Sequence, residues 1–418
     1  MTRLALALFL LVPYAAAEES PPEVSLPDLV REALERNPEV QMARRMVEAK
    51  RARVPRAGAL PDPVLMYGVM NEGRPVPFQT LGTAGFSEVY VGVSQDIPYP
   101  GKRGLREKVA EEEASSAEWA YETVRRRVAS EVAQAYYDLY AANAALAIVE
   151  RNLQLLDQFV KVARARYAVG QATQQDVLDA EVELSRLEER RSLLVQRRGV
   201  VEASIARLLD RTEPSALGPP APVTRTPVAL SLQEALLRAE QRSPVLKERE
   251  GLVGAGGRKV DLARRERLPD LGVNFVYHNR GELDPYWSFG GTLTLPIYRG
   301  RKQDKAVEEA AADLGGARSA LDAARATVRY EVTDAHLTAS TAERLLRLYD
   351  EGILKQARLS LDSAIAQYQV GKLDFLTLIT SWRRLLDYDL TYHEQLAEHE
   401  KALARLAVHV GPEPGQAF

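Results

Sequence analysis

From Lys102 to Val169 the chain contains no proline, and no glycine after Gly104. Apolar residues recur there at steps of four and three: Val128, Val132, Ala135, Leu139, Ala142, Leu146, Val149, Leu153, Leu156, Val160, Ala163 and Tyr167. That heptad seam predicts one uninterrupted helix with coiled-coil packing. At 1.5 Å per residue such a rod is about 100 Å long, so it spans or lines something rather than filling a globule. The pattern returns 200 residues later, in Val328, Val332, Ala335, Ala339, Ala342, Leu346, Tyr349 and Ile353. One residue is then inserted, and Ala357, Leu361, Ala364 and Tyr368 continue at a spacing of 201. Gly315-Gly316 predicts a bend in this second rod. Helices over about 175–209 and 375–410 follow glycine-containing turns and should fold back antiparallel, with Ala180, Leu184, Leu187 and Leu194 facing inward.

Four segments switch to a period of two. Pro63–Met70 and Ser87–Ile97 flank one loop, and Asp270–His278 and Tyr286–Leu295 flank another, Asn279 to Pro285. Val89, Val91 and Val93 alternate with polar or small neighbours, as do Leu271, Val273, Phe275 and Tyr277, and Trp287, Phe289, Leu293 and Leu295. Strands of this length with one apolar face and aromatic ends suit a membrane barrel, although an ordinary sheet packed on helices has the same alternation. Four strands cannot close a barrel, and an open sheet in lipid leaves edges unpaired, so the membrane reading requires oligomerisation.

The two halves share one order of elements, and Leu26, Ala33, Arg36 and Pro38 recur as Leu232, Ala239, Arg242 and Pro244. The expected organisation is a signal peptide over 1–17, a first repeat over 18–213, a proline-rich linker over 214–227, a second repeat over 228–411 and a tail over 412–418. Arg3, the apolar run Leu4–Val12 and Ala15-Ala16-Ala17 carry the signal expectation, which places the mature start at Glu18 and the protein beyond the inner membrane. Without a cysteine no disulfide, thiolate metal site or N-terminal lipid anchor is expected. The net charge of −3 argues against nucleic acid as a partner.

The order of these pieces resembles the TolC-type outer-membrane efflux family. The resemblance rests on the paired Ser-Leu…Pro helix starts and on the junctions Ser94-Gln95-Asp96-Ile97-Pro98-Tyr99-Pro100-Gly101-Lys102-Arg103 and Leu295-Pro296-Ile297-Tyr298-Arg299-Gly300-Arg301. It rests also on the turns Tyr167…Gly170…Asp176 and Tyr368…Gly371…Leu378. The first junction, with Pro61-Asp62-Pro63 before it, is similar to the heavy-metal cation efflux branch.

The resemblance implies a mainly α fold with a small membrane β part. Two tandem hairpin repeats with inserted β-hairpins would assemble as a homotrimer, giving a twelve-strand barrel on an α-helical tunnel. It implies a passive gated conduit in outer-membrane lipid, with a periplasmic adaptor and an inner-membrane pump as partners. It assigns the gate to the tips, here Tyr167, Asp176, Tyr368, Lys372 and Asp374, and the adaptor contact to the turns at Val169, Gly170, Val370 and Gly371. Thr377 and Thr380 stand where the family has acids, so Lys372, Asp374, Asp176 and Tyr368 are read as a substitute latch, or else as solvated turn residues.

No enzyme or cofactor is expected. His278, His336, His393, His399 and His409 lack metal-ligand spacing, and no nucleophile setting is present. Gly251 to Gly257 lacks the strand and the Lys-Ser/Thr of a phosphate loop and suggests close helix packing or a kink. Glu111-Glu112-Glu113 suggests a solvated face. The competing reading is a periplasmic or surface coiled-coil scaffold without a pore.

Overall fold

A computed structural model describes residues 23–73, 76–212 and 217–411. The expected signal peptide and the 412–418 tail lie outside them. The first half runs α1 (Leu26–Arg36), α2 (Pro38–Gly58), β1 (Val64–Met70), β2 (Glu88–Ile97), α3 (Lys102–Ala168) and α4 (Gln174–Leu208). The second runs α5 (Leu232–Arg242), α6 (Pro244–Arg265), β3 (Asp270–Arg280), β4 (Leu283–Thr294), α7 (Gln303–Leu348), a π-turn (Tyr349–Ile353), α8 (Leu354–Gln369) and α9 (Phe375–Val410). Among the described residues no helix is long and apolar enough to cross a membrane.

Proline at the first helical position starts α2 and α6, where its fixed φ suits the turn and its missing N–H costs nothing. Asn37 caps α2 by accepting from Glu39 and Val40 N–H, and its amide donates to Leu208 O at 3.0 Å, tying the start of α2 to the end of α4.

Helix α3 is a single 67-residue rod. Its seam is buried at most positions from Val128 to Ala163, with Leu153 partly covered, against α4, α8 and α9 in the lower part and α1 and α2 above. Tyr167 departs from the seam and is exposed. In the second rod the inserted residue has a structural counterpart. Leu354 N–H donates to Tyr349 O, five residues back, and this wider π-turn absorbs one residue so that Ala357, Leu361, Ala364 and Tyr368 regain the buried face. The irregularity thus falls at Tyr349–Ile353, while α7 continues through Gly315-Gly316 as one α-helix.

Strand ends differ from expectation in the second hairpin. Most of Asn279 to Pro285 belongs to the strands, leaving a tight turn at Gly281-Glu282. Gly281 adopts φ +70° there, and Asn279 Oδ1 accepts its N–H at 2.8 Å. Pro285 is tolerated because the register shifts beside it, next to the turn.

The glycine run in α6 is a packing device. A Cβ at Gly251 would lie 3.1 Å from Ser116 of α3, and one at Gly256 3.2 Å from Leu314 of α7. The acid run is not uniformly solvated. Glu113 is largely covered and takes Lys50, Arg53 and Lys259 at 3.2, 2.9 and 2.9 Å. Burial opposes its charge, yet hydrogen bonds from Lys259 and Lys50 hold its carboxyl below the usual range. Three histidines make internal hydrogen bonds. His399 is fully buried between Thr226 O and Ala339 O, His336 reaches Leu230 O, and His393 meets the Tyr140 hydroxyl at 2.8 Å.

Candidate functional site

Three features stack along the molecule: a sheet, a junction and a tip. The sheet is fully antiparallel in the order β1-β2-β3-β4, so β1 and β4 each have one neighbour. The register aligns Leu65 with Val93 and Phe275, Tyr67 with Val91 and Tyr277, and Phe275 with Phe289. These residues, with Trp287 and Leu293, form one continuous apolar face that no other described part of the chain covers. Tyr67, Trp287 and Phe289 are 83%, 67% and 70% exposed.

The opposite face is polar and closely packed. Glu88 is buried there, with Oε1 2.8 Å from His278 Nδ1 and Oε2 accepting from Tyr286 OH at 2.7 Å. His278 Nε2 lies 3.1 Å from Ser288 Oγ, and its ring stacks on Tyr286 at 4.3 Å. Apolar residues outward and a satisfied polar network inward is the arrangement of a lipid-facing strand set.

The junction fixes the sheet to the rods. Lys102, the first residue of α3, is 1% exposed. Its ammonium donates to Leu268 O at 2.8 Å and Asp270 Oδ1 at 2.9 Å, and lies 3.2 Å from Glu266 Oε2. Asp270 Oδ1 also accepts Tyr99 N–H at 2.7 Å, so one carboxylate ties β3 to the strand-to-rod turn of the other half. Gly101 adopts φ +93°, and a Cβ there would come within 2.8 Å of the Arg265 guanidinium. The sequence marks Lys102 only through its motif, because its partners lie more than 160 residues away.

At the tip both hairpins turn through left-handed glycines, Gly170 (φ +71°) and Gly371 (φ +76°). Gln171 N–H donates to Arg166 O and Lys372 N–H to Gln367 O, the six-to-one bond that closes a helix end. Val169 and Val370 project at 69% and 68% exposure. The next helices start on acids. Asp176 and Thr173 form a reciprocal capping box on α4, and Asp374 accepts Thr377 N–H at 2.7 Å to cap α9. Those Thr377 bonds, first from the backbone and then from the hydroxyl, hold the Asp374 carboxyl below its usual range.

The expected tip residues therefore divide. Asp176 and Asp374 serve their own turns, and Lys372 has no ion pair among the described residues. Tyr368 is 5% exposed while Tyr167 is 49% exposed. The partner of Tyr368 is Arg166, which no local pattern marks. Its guanidinium lies over the Tyr368 ring at 4.7 Å, and Nη1 donates to Tyr368 O. The Tyr368 hydroxyl and Arg166 Nε are buried without a hydrogen-bond partner among the described residues. Burial pushes the Tyr368 hydroxyl up, Arg166 opposes that, and Asp176 adds to it.

The family profile for outer membrane efflux proteins matches residues 29–209 and again 235–411. Outer membrane efflux protein BepC of Brucella suis biovar 1 (strain 1330) is 26% identical over 286 residues, 66% of this chain and 60% of that protein. The chain thus matches about 60% of the length of this relative. The nickel-cobalt-cadmium resistance protein NccC of Alcaligenes xylosoxydans xylosoxydans is 25% identical over 337 residues, 78% of this chain and 70% of that one. A membrane protein from Pseudomonas aeruginosa shares the fold at a TM-score of 0.81, with 20% identity, covering 94% of this chain and 91% of that one. With both halves matched by one profile, the chain belongs to the outer membrane efflux protein family, an efflux and not an enzyme family.

Proposed function

We propose that the protein is the outer-membrane channel of a tripartite efflux system, a passive gated conduit fed by an inner-membrane pump through a periplasmic adaptor. The observation that carries this reading is the uncovered apolar sheet face on four strands with two open edges, standing on rods of about 100 Å. In lipid those edges need partners. A homotrimer supplies them: β4 of one copy beside β1 of the next gives a closed barrel of twelve strands, with the rods continuing as a helical tunnel. The repeats are 18–213 and 228–411, joined by 214–227. The protein does no chemistry of its own.

The tips form the gate in this reading, with Tyr167, Asp176, Tyr368, Lys372 and Asp374 at the constriction. Val169 and Gly170, with Val370 and Gly371, offer the adaptor apolar knobs on turns whose glycines are conformationally required. Arg166 joins the two tips of one copy, so it belongs to the gate as well. The junction motif and the NccC relative favour metal cations as cargo. The test is extraction: membranes from expressing cells should release the chain only with detergent, at a mass of three copies. A monomer or dimer recovered without detergent would favour the scaffold reading instead.

A further inference from the structure

The charge of the chain is unevenly placed. Segments 51–62, 101–108, 261–270 and 299–304 adjoin one end of the sheet and hold thirteen basic against six acidic residues, a net of +7 in a chain of −3. The described residues joining strands at the other end, 71–73, 76–87 and 281–282, hold two acidic residues and no basic one. The cations are therefore gathered where the apolar strands give way to the rods.

Within this collar lies a groove of about 750 Å³ between the start of α3, the end of α6 and the turn after β4. Lys108, Arg264, Arg265, Arg267 and Arg299 line it against a single acid, Asp261. Its apolar wall is Leu105 and Leu268. Internal contacts engage two of the five cations, Arg267 pairing with Asp304 at 2.8 Å and Arg265 lying over the Tyr99 ring at 5.7 Å, and hold the others only loosely. Arg264 and Arg299 lie 3.8 and 3.7 Å from their carboxylates, while Arg265 and Lys108 have none within ion-pair distance among the described residues. Leu295, Ile297 and Tyr298 are exposed on the β4 turn that leads to Arg299. Guanidinium groups facing an open site beside a small apolar wall match a phosphate carried on a glycerol ester.

We propose that this groove holds the phosphate of an anionic phospholipid headgroup in the leaflet that borders the rods. The inference rests on the membrane reading and adds a lipid preference to it. Exposed Ile297 and Tyr298 meet the interfacial region, and the guanidinium groups take the headgroup just below it. Such binding favours lipids with net negative charge, because each basic residue near an anionic surface contributes about a fivefold gain in affinity.

The test uses the full chain, delipidated in detergent and returned to phosphatidylcholine or to phosphatidylcholine with phosphatidylglycerol, with retained lipid counted by native mass spectrometry. Wild type should retain phosphatidylglycerol selectively. Arg264→Gln/Arg265→Gln/Arg299→Gln should lower that retention by about a hundredfold. Arg190→Gln/Arg191→Gln/Arg197→Gln on α4, with the same loss of charge, should leave it unchanged. Equal retention of both lipids, equal loss in both triple variants, or displacement by millimolar inorganic phosphate would overturn the headgroup site. Failure to enter phosphatidylcholine at all would instead overturn the membrane reading on which it stands.

Discussion

Replacing Lys102 with methionine should loosen the sheet from the rods. Methionine keeps most of the side-chain volume, so the cost is electrostatic rather than a cavity. Removing one partner of a fully buried ion pair costs about 3–5 kcal/mol. Here the lysine is buried, but the Asp270 and Glu266 side chains are each 36% exposed and regain water when it is lost. Asp270 also keeps its bond from Tyr99 N–H. The expected cost is therefore about 2–3 kcal/mol, below the fully buried case. It is read as the shift in denaturant midpoint of the helical circular dichroism signal in detergent. Adding Asp270→Asn should cost less than the sum of the two single changes, with a coupling of about 1–2 kcal/mol. A Lys102→Met protein within about 0.5 kcal/mol of wild type, the range of an ordinary surface change, would refute the claim that this network anchors the junction.

Three other consequences are open to measurement. Trp382 is buried and donates Nε1–H to Asn152 Oδ1 at 2.9 Å, so Trp382→Phe should cost about 1 kcal/mol for the bond and Trp382→Ala about 3–5 kcal/mol by the same unfolding assay. Arg166→Gln removes the cation over Tyr368 and should raise single-channel conductance more than Asp176→Ala/Lys372→Ala does, because the two acids at the tip are engaged in capping; a larger effect from the double variant would reverse that ranking. The Glu32 carboxyl is held below its ordinary value of 4.5, first by the hydrogen bond from Arg211. A depressed folded pKa contributes stability above the unfolded value and loses it as pH falls through the folded one. Urea midpoints should accordingly drop below pH 4.5, and Arg211→Gln should flatten that drop.

What the sequence disclosed depended on range. The seam from Val128 to Ala163 and its return at Val328 are local periodicities, and each follows from the helix repeat alone. The one-residue slip before Ala357 was visible too, but not the π-turn that absorbs it, because periodicity records the shift of the stripe and not the backbone bond that makes it. Strand alternation fixed which residues share the exposed face. It misplaced the second hairpin turn, since Pro285 reads as a loop residue until the register shift beside it is known.

The ion networks were not legible. Lys102 with Asp270, Glu113 with Lys50 and Lys259, and Arg166 with Tyr368 join residues far apart in the chain, and a charged side chain carries no local mark of its partner. The tips make the same point. Tyr167 and Tyr368 occupy matching positions in the sequence, yet only Tyr368 is buried, because Arg166 and Phe375 pack against it.

Three copies of a four-strand sheet close the proposed conduit. Planar-bilayer recording of the detergent-extracted protein tests it most directly. Discrete, stepwise conductance that arises only from the three-copy species, and that Arg166→Gln raises, is the predicted result. Full-length, folded three-copy protein that inserts into the bilayer and leaves it electrically silent in both forms would contradict it.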